Sequence, residues 1–287
     1  MSGTTARGNW FAWPVLGLGF AFLYVPILIL MVYSFNESRL ATVWSGFSFK
    51  WYGELFRDDD MINAALLSLK IAFFTATGAV VLGTLASLVM TRMRHFRSRT
   101  LFGALITAPL VMPEVILGLS LLLLFVSVGN VLKGMGVEDF QPKGVLTIWI
   151  AHVTFTLAFV TVVISSRMAE LDKSLEEAAM DLGANRVKVF FQITLPIIAP
   201  ALVSGWLLAF TLSLDDVVIS SFVTGPGSTT LPIKVFSSVR LGLNPKINAL
   251  ATIMVTLVAL VAVIGWWWMR REEQRRQRDM QLALQQG

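Results

Sequence analysis

The sequence predicts an all-α integral membrane protein with six transmembrane helices in a single domain. Three observations carry that prediction: an apolar composition, apolar windows of bilayer length, and an uneven spread of basic residues between the connecting loops. Of the 287 residues, 55% are hydrophobic and 14% charged. Soluble domains carry about 25% charged residues, so a bilayer is the expected solvent. Cysteine is absent. That excludes disulfides, thiolate metal sites and cysteine nucleophiles. The net charge of +5 is read as a topology signal and not as nucleic-acid binding, because excess Lys and Arg orient membrane helices.

Windows of roughly 20 apolar residues mark membrane spans. They fall at about Phe11–Phe35, Ala64–Met90, Phe102–Val128, Leu146–Ser166, Ile197–Ser220 and Ile247–Met269. The first run follows a single early basic residue, Arg7. It is longer than the ~7–15 residues of a signal-peptide core and lacks a small-x-small cleavage site, so it reads as an uncleaved helix. Basic residues gather in alternate connections: Arg92, Arg94, Arg97 and Arg99 in the turn "TRMRHFRSR", then Arg167, Lys173, Arg186 and Lys188, then Arg270, Arg271, Arg275, Arg276 and Arg278. The positive-inside rule places those segments and both termini in the cytoplasm. The connection 167–196 is then a cytoplasmic loop, and the polar segment 270–287 a cytoplasmic tail that continues the sixth helix.

That loop contains "EEAAMDLGANRVKVFFQITLP", Glu176 to Pro196. Leu171–Ser174 supplies N-cap candidates, and Glu177 stands three residues after Ser174 at capping-box spacing. Ala178, Ala179 and Met180 favour helix. Gly183 is the expected stop, since glycine takes the left-handed C-terminal conformation without strain. In the following "ANRVKVFFQI", Val187, Phe190, Phe191 and Ile193 share one helical face, and Leu195-Pro196 is expected to close the helix. Pro200 falls in the first turn of the next span, where proline is tolerated. Pattern alone leaves two readings: an amphipathic connector on the membrane surface, or a docking helix for a partner.

Ionisable groups at membrane depth are functional candidates. Lys70 lies near the outer end of the second span, where its stem can snorkel. Glu114 follows Pro113, about 18 Å into the third span at ~1.5 Å per residue, and Pro113 is expected to kink or open the helix. Its alternatives are a transport path and an interhelical bond. Asp215 and Asp216 sit in "SLDDVVIS". Neighbouring helical residues point about 100° apart, so one is expected to line a path while the other pairs or caps. Carboxylates there would attract a cation, and Trp206 and Phe210 are candidates for cation–π contact along the same path. Trp266, Trp267 and Trp268 before Arg270 form an interfacial belt. Asp58, Asp59 and Asp60 make an acidic outer loop with three readings: it steers cations, contacts an external partner protein, or is merely solvated. His95 and His152 lack ligand-spaced partners, so no metal site is proposed. No G-x-x-x-x-G-K-[ST] occurs, so ATP has no phosphate cradle here.

Glu177-Ala178-Ala179, three residues, Gly183, nine residues, Ile193-x-Leu195-Pro196 resembles the EAA motif of ABC importer permeases at every position. The segments "WYGELFRDDDMINAALLSL", "APLVMPEVILGLSLLLLF", "HVTFTLAFVTVVISSRMAELD" and "FTLSLDDVVISSFVTGPGSTTLP" are similar to polyamine permeases of that superfamily, putrescine permeases above all. The resemblance implies a type I ABC importer permease fold in the bacterial inner membrane, with a cytoplasmic coupling helix around Glu177–Gly183. It implies four kinds of partner: a homologous permease chain, two cytoplasmic ATPase subunits that hold ATP and Mg, a periplasmic polyamine-binding protein, and lipid. This chain would carry no cofactor and no catalytic residue. The substrate reading is putrescine or spermidine. The rival reading is a carrier or channel acting alone, driven by an ion gradient. A membrane enzyme is disfavoured, because no nucleophile–base or metal constellation is visible.

Overall fold

The computed structural model describes residues 12–40, 43–93, 97–137, 139–241, 245–260, 263, 267, 270 and 271. Arg7, Arg94, His95, Trp266, Trp268 and the tail from 272 lie outside them. The described residues are helical throughout, apart from connections and one isolated antiparallel bridge between Asn36 and Phe47. Five helices are long and apolar enough to cross a membrane: Trp13–Tyr33, Asp59–Arg92, Glu114–Gly134, Val145–Glu170 and Arg186–Leu214. The sixth expected span is represented by the shorter apolar helix Pro245–Leu260. The chain forms two compact units, Met1–Asp59 with Ser238–Gly287, and Asp60–Ser237.

In the first unit, α1 (Ala12–Tyr33) has no buried residue among those described, and its Tyr33 ring meets Trp44 edge-on at 6.0 Å. A helix that is apolar all round belongs in lipid or against other apolar helices. The connection that follows is fastened by side chains. Trp51 Nε1 donates to the Asn36 carbonyl at 2.7 Å, and Ser34 and Tyr52 share a 2.7 Å hydrogen bond. The Phe35 and Phe47 rings stack at 5.3 Å. Trp51 belongs to α2 (Lys50–Leu55) and is 3% exposed, so it is a packing residue. Lys246, in α12 (Pro245–Leu260), lies 3.2 Å from Asp58 and 3.9 Å from Glu54. Asp58 is therefore internally neutralised. Further along, the Arg271 guanidinium lies 3.4 Å over the Trp267 ring, a cation–π contact.

The second unit is organised around α6 (Val145–Glu170), whose apolar window is 61% buried. Its partner α3 (Asp59–Arg92) presents Ala72, Ala76, Ala79, Gly83 and Ala86, all buried. Without a hydrophobic drive between helices in lipid, small residues let backbones approach and gain dispersion contact. A Cβ added at Gly83 would stand 2.9 Å from Val160 Cγ1 and 3.4 Å from the Thr161 nitrogen. Ser87 Oγ, one turn on, donates to the Thr161 carbonyl at 3.1 Å.

Two expected spans are interrupted. The stretch Phe102–Val128, expected as one span, is two helices: α4 (Arg99–Val111) and α5 (Glu114–Gly134). Met112 is extended and Pro113 caps α5. Proline disfavours the helical region for the residue before it, which fixes the break at Met112. The fifth span stops at Leu214, ending α9 (Leu195–Leu214), and resumes as α10 (Val218–Val223). A turn at Gly225–Ser228 then leads to α11 (Leu231–Leu241), whose first amide is received by Ser68 Oγ at 2.7 Å. Lys234 of α11 pairs with Asp60 at 3.0 Å, so Asp60 is also neutralised within the chain.

The contact of α3 with α6 yields a test. Gly83→Leu should lower stability by about 1–3 kcal/mol through overpacking, read as a lower unfolding midpoint of the detergent-purified chain. Gly19→Leu, in α1 where a Cβ meets nothing within 4 Å, should leave that midpoint unchanged.

Candidate functional site: a presented loop and two broken helices

The loop between the fourth and fifth spans folds as a short helix, a glycine turn and a second helix. Helix α7 (Lys173–Asp181) begins at Asp172, whose carboxylate accepts from the Ser174 amide at 3.0 Å. That bond holds the Asp172 carboxyl below its ordinary value. Asp172 is thus the N-cap, and no Ser174–Glu177 capping box forms. Gly183 has φ +87°, while the Gly183 and Ala184 amides donate to Met180 and Ala179 carbonyls at 2.9 and 3.0 Å. This closes the helix in the left-handed glycine manner.

Helix α8 (Arg186–Val189), capped by Asn185, does not end at Leu195-Pro196 as expected. It passes through a π-helical turn, Phe190–Thr194, straight into α9. The Leu195 amide reaches back to the Phe190 carbonyl, five residues away. Proline cannot donate its own i→i−4 bond and crowds the preceding turn. A widened turn immediately before Pro196 accommodates both effects, and such turns recur at functional sites.

The motif residues divide by exposure. Glu177, Ala178, Gly183 and Pro196 are exposed, while Ala179, Ile193 and Leu195 are half-buried. α7 has no buried residue, and Leu182 beside the turn is 90% exposed. A Cβ at Gly183 would meet nothing within 4 Å, so its demand within the chain is conformational. Sequence reading singled out Glu177 and passed over its neighbour. Glu176 is the carboxylate that turns inward. Its Oε1 accepts from Arg92 Nη2 at 2.9 Å and from Thr194 Oγ1 at 2.8 Å. Its position one residue before the motif gave no signal, because Arg92 is 84 residues away.

The second constellation lies at the two breaks. Asp215 and Asp216 are parted as their spacing suggested: Asp215 ends α9 and is exposed, whereas Asp216 is 8% exposed. Asp216 accepts from the Ile219 and Ser220 amides at 3.2 and 2.7 Å, which satisfies the first turn of α10. Its Oδ2 also lies 3.2 Å from His152 Nε2. His152, buried in α6, further contacts Ser220 Oγ at 2.9 Å and, through Nδ1, Ser213 Oγ at 2.7 Å. Asp216 is therefore turned into the protein. His152, with its partners 61 to 68 residues away, was invisible as a network member from the sequence.

Glu114 is exposed at the first position of α5. Gly118, one turn on, lies against α10: a Cβ there would stand 3.3 Å from the Ile219 Cα. Asp215 precedes Ile219 by four residues, across the break before α10. Farther along, Gly129 approaches Phe140 and Pro142, and Gly225 approaches Lys143, so α5 and α10 run in the same direction. Glu114 thus opens α5, and Asp215 lies at the break that precedes α10. Trp206 and Phe210, half-buried on α9, stack at 5.2 Å. Trp206 also meets Phe73 at 5.6 Å and donates to Thr77 Oγ1 at 3.2 Å. Lys70 is exposed. Among the described residues no cluster of three or more His, Asp or Glu is placed to hold a metal ion.

Three substitutions test the buried aspartate network, the exposed aspartate and the glycine turn. His152→Ala strips buried partners from Asp216 and Ser213, and should cost about 2–4 kcal/mol in thermal unfolding, whereas Asp215→Asn should be near neutral. Gly183→Ala forces a Cβ into a left-handed conformation and should cost about 1–2 kcal/mol, read as earlier hydrogen exchange of the Gly183 and Ala184 amides.

Residues 79–278 match the family described as the binding-protein-dependent transport system inner membrane component. The putrescine transport system permease protein PotI of Escherichia coli strain K12 is 60% identical over 94% of each chain. The spermidine/putrescine transport system permease protein PotC of Haemophilus influenzae is 45% identical over 83% of this chain and 88% of its own. Two crystal structures of a bacterial alginate ABC transporter share the fold. One, described as importing that acidic polysaccharide, is superposed at TM-score 0.64 with 16% identity over 92% of this chain and 98% of its own. The other, in complex with a periplasmic protein carrying an alginate pentasaccharide, gives 0.70 with 19% identity over 89% and 92%. The chain belongs to the inner-membrane permease family of binding-protein-dependent ABC transport systems.

Proposed function

We propose that this chain is one of two homologous permease subunits of an ATP-driven polyamine importer, with putrescine or spermidine as its cargo. The observation that carries this reading is its 60% identity, over 94% of its length, to a putrescine permease. The complete EAA loop on an exposed helix agrees with it. In this reading both termini and the loop 167–196 face the cytoplasm. α7 docks on a separate ATPase that holds ATP and Mg, with Glu177 making a polar contact. Ala178, Ala179 and Gly183 provide the close fit, and Ile193, Leu195 and Pro196 join the docked loop to the fifth span. A periplasmic binding protein delivers the amine. ATP binding draws two ATPase subunits together, and the permease pair opens alternately to the two sides.

The path runs where this chain presents charge towards a second permease. Asp215 and Glu114, both exposed at the breaks of two interrupted helices, are the groups we assign to the cationic cargo. At low effective dielectric, two carboxylates attract a diamine far more strongly than in water. The Trp206–Phe210 pair offers its faces on the preceding turns of α9. Asp216 instead holds the break open from inside. The relatives favour this subunit reading over a carrier that acts alone.

The test reconstitutes the chain in liposomes with a homologous permease, the ATPase and the binding protein. Labelled putrescine should enter only with ATP and only with every component present. Asp215→Asn and Glu114→Gln should each lower uptake about tenfold while the complex still assembles. Uptake by this chain alone, following an ion gradient and indifferent to ATP, would contradict the proposal.

A further inference from the structure

The two neighbouring glutamates of the loop point in opposite directions. Glu177 is exposed on α7, while Glu176 is half-buried. Through one oxygen, Glu176 gathers groups from separate elements. Arg92 donates to Oε1 by both Nη2, at 2.9 Å, and Nε, at 3.3 Å. Thr194 Oγ1 donates to the same atom at 2.8 Å. Arg92 is the last residue of α3, and its Nη1 also reaches the Met168 carbonyl in the last turn of α6 at 3.4 Å. Thr194 is the last residue of the π turn that opens the fifth span. A single carboxylate therefore ties α7 to the end of α3 and to the start of the fifth span, and through Arg92 to the end of α6.

α7 buries no side chain, so it has no fully buried apolar anchor of its own. Its backbone leaves through the Asp172 cap on one side and the left-handed Gly183 turn on the other, both places where dihedral changes absorb movement. Beside the pair, Leu88, Met180, Val187 and Phe190 line an open groove of about 600 Å³, which gives the helix room to tilt. Arg92 and Glu176 side chains are only 19% and 15% exposed, so solvent and salt screen them less than a surface pair. The bonds from the guanidinium are charge-assisted, which makes them stronger than neutral ones.

We infer that Glu176 is a positioning residue for transport. Held by Arg92 and Thr194, it delivers the displacement of α7 to α3, α6 and the fifth span, so that the movement is not lost in the flanking turns. This rests on the importer reading above and assigns the two glutamates separate tasks: Glu177 outward to the motor, Glu176 inward to the spans.

The experiment measures amine imported per ATP hydrolysed by the complete complex in liposomes. Variants are Glu176→Gln, Thr194→Val, and the exchanged pair Arg92→Glu with Glu176→Arg. Glu176→Gln should lower that ratio at least about fivefold, and Thr194→Val about threefold. The exchanged pair should recover most of the loss, which a merely stabilising contact would not require. A wild-type complex that imports no amine with ATP would overturn the importer reading, and this inference with it. A wild-type complex that works while every variant keeps the wild-type ratio would overturn the inference alone. If Glu176→Gln fails to assemble, Thr194→Val and the exchanged pair decide. Loss of ATPase association in all three variants would assign the contact to folding of the loop and refute a coupling role.

Discussion

A helix that stops inside a bilayer leaves amides and carbonyls that water cannot reach, and each costs several kcal/mol if unmet. The break after Leu214 is possible because Asp216 receives the Ile219 and Ser220 amides. Asp216 is itself steadied by His152 from the central helix. That one buried arrangement lets the fifth span end at Asp215, restart at Val218 and lie against Gly118 of α5. The neighbouring Asp215, with no such duty, stays at the surface. A structural carboxylate and a presented one thus stand side by side, and the first sets the position of the second.

The same division of labour appears at the opposite functional region. Glu176 is spent inside the chain and Glu177 is left outside. In both pairs, adjacency in sequence separates the two side chains by roughly 100° around a helix or its capped end, so only one of them can face inward. The outward members are the ones assigned here to partners: Asp215 to a cationic cargo and Glu177 to a motor. The inward members hold their elements in register. The π turn before Pro196 makes the second of these regions continuous with the first, since one helical run from Arg186 to Leu214 joins the loop to the break.

Much of this was legible in the sequence, because its signals are local. Apolar windows announce spans, and Gly183 announces a helix end that the backbone adopts at φ +87°. Pro113 announces a break, although its full consequence, two separate helices, depends on Met112 being extended. Local signals also misled. Leu195-Pro196 looks like a stop because proline ends most helices, yet here a π turn carries the helix through. The loop's N-cap is Asp172 and not Ser174, a choice between neighbours that only backbone geometry makes. What could not be read is every contact between residues far apart in the chain. His152 resembles any apolar-span histidine until Ser213, Asp216 and Ser220 are folded onto it. Glu176 resembles a solvated charge until Arg92 arrives from another helix. The acidic run at 58–60 looks like a cation lure until Lys246 and Lys234 are found against Asp58 and Asp60.

The central claim is that α7 and its glycine turn are presented for a separate ATPase. Because the chain has no cysteine, one introduced thiol reports on one place. Leu182→Cys, at a position 90% exposed in the chain itself, should react with a thiol reagent in the purified permease. It should become protected when the ATPase subunit is added. Equal labelling with and without a bound ATPase would show that this surface is not where the motor docks, and would contradict the account.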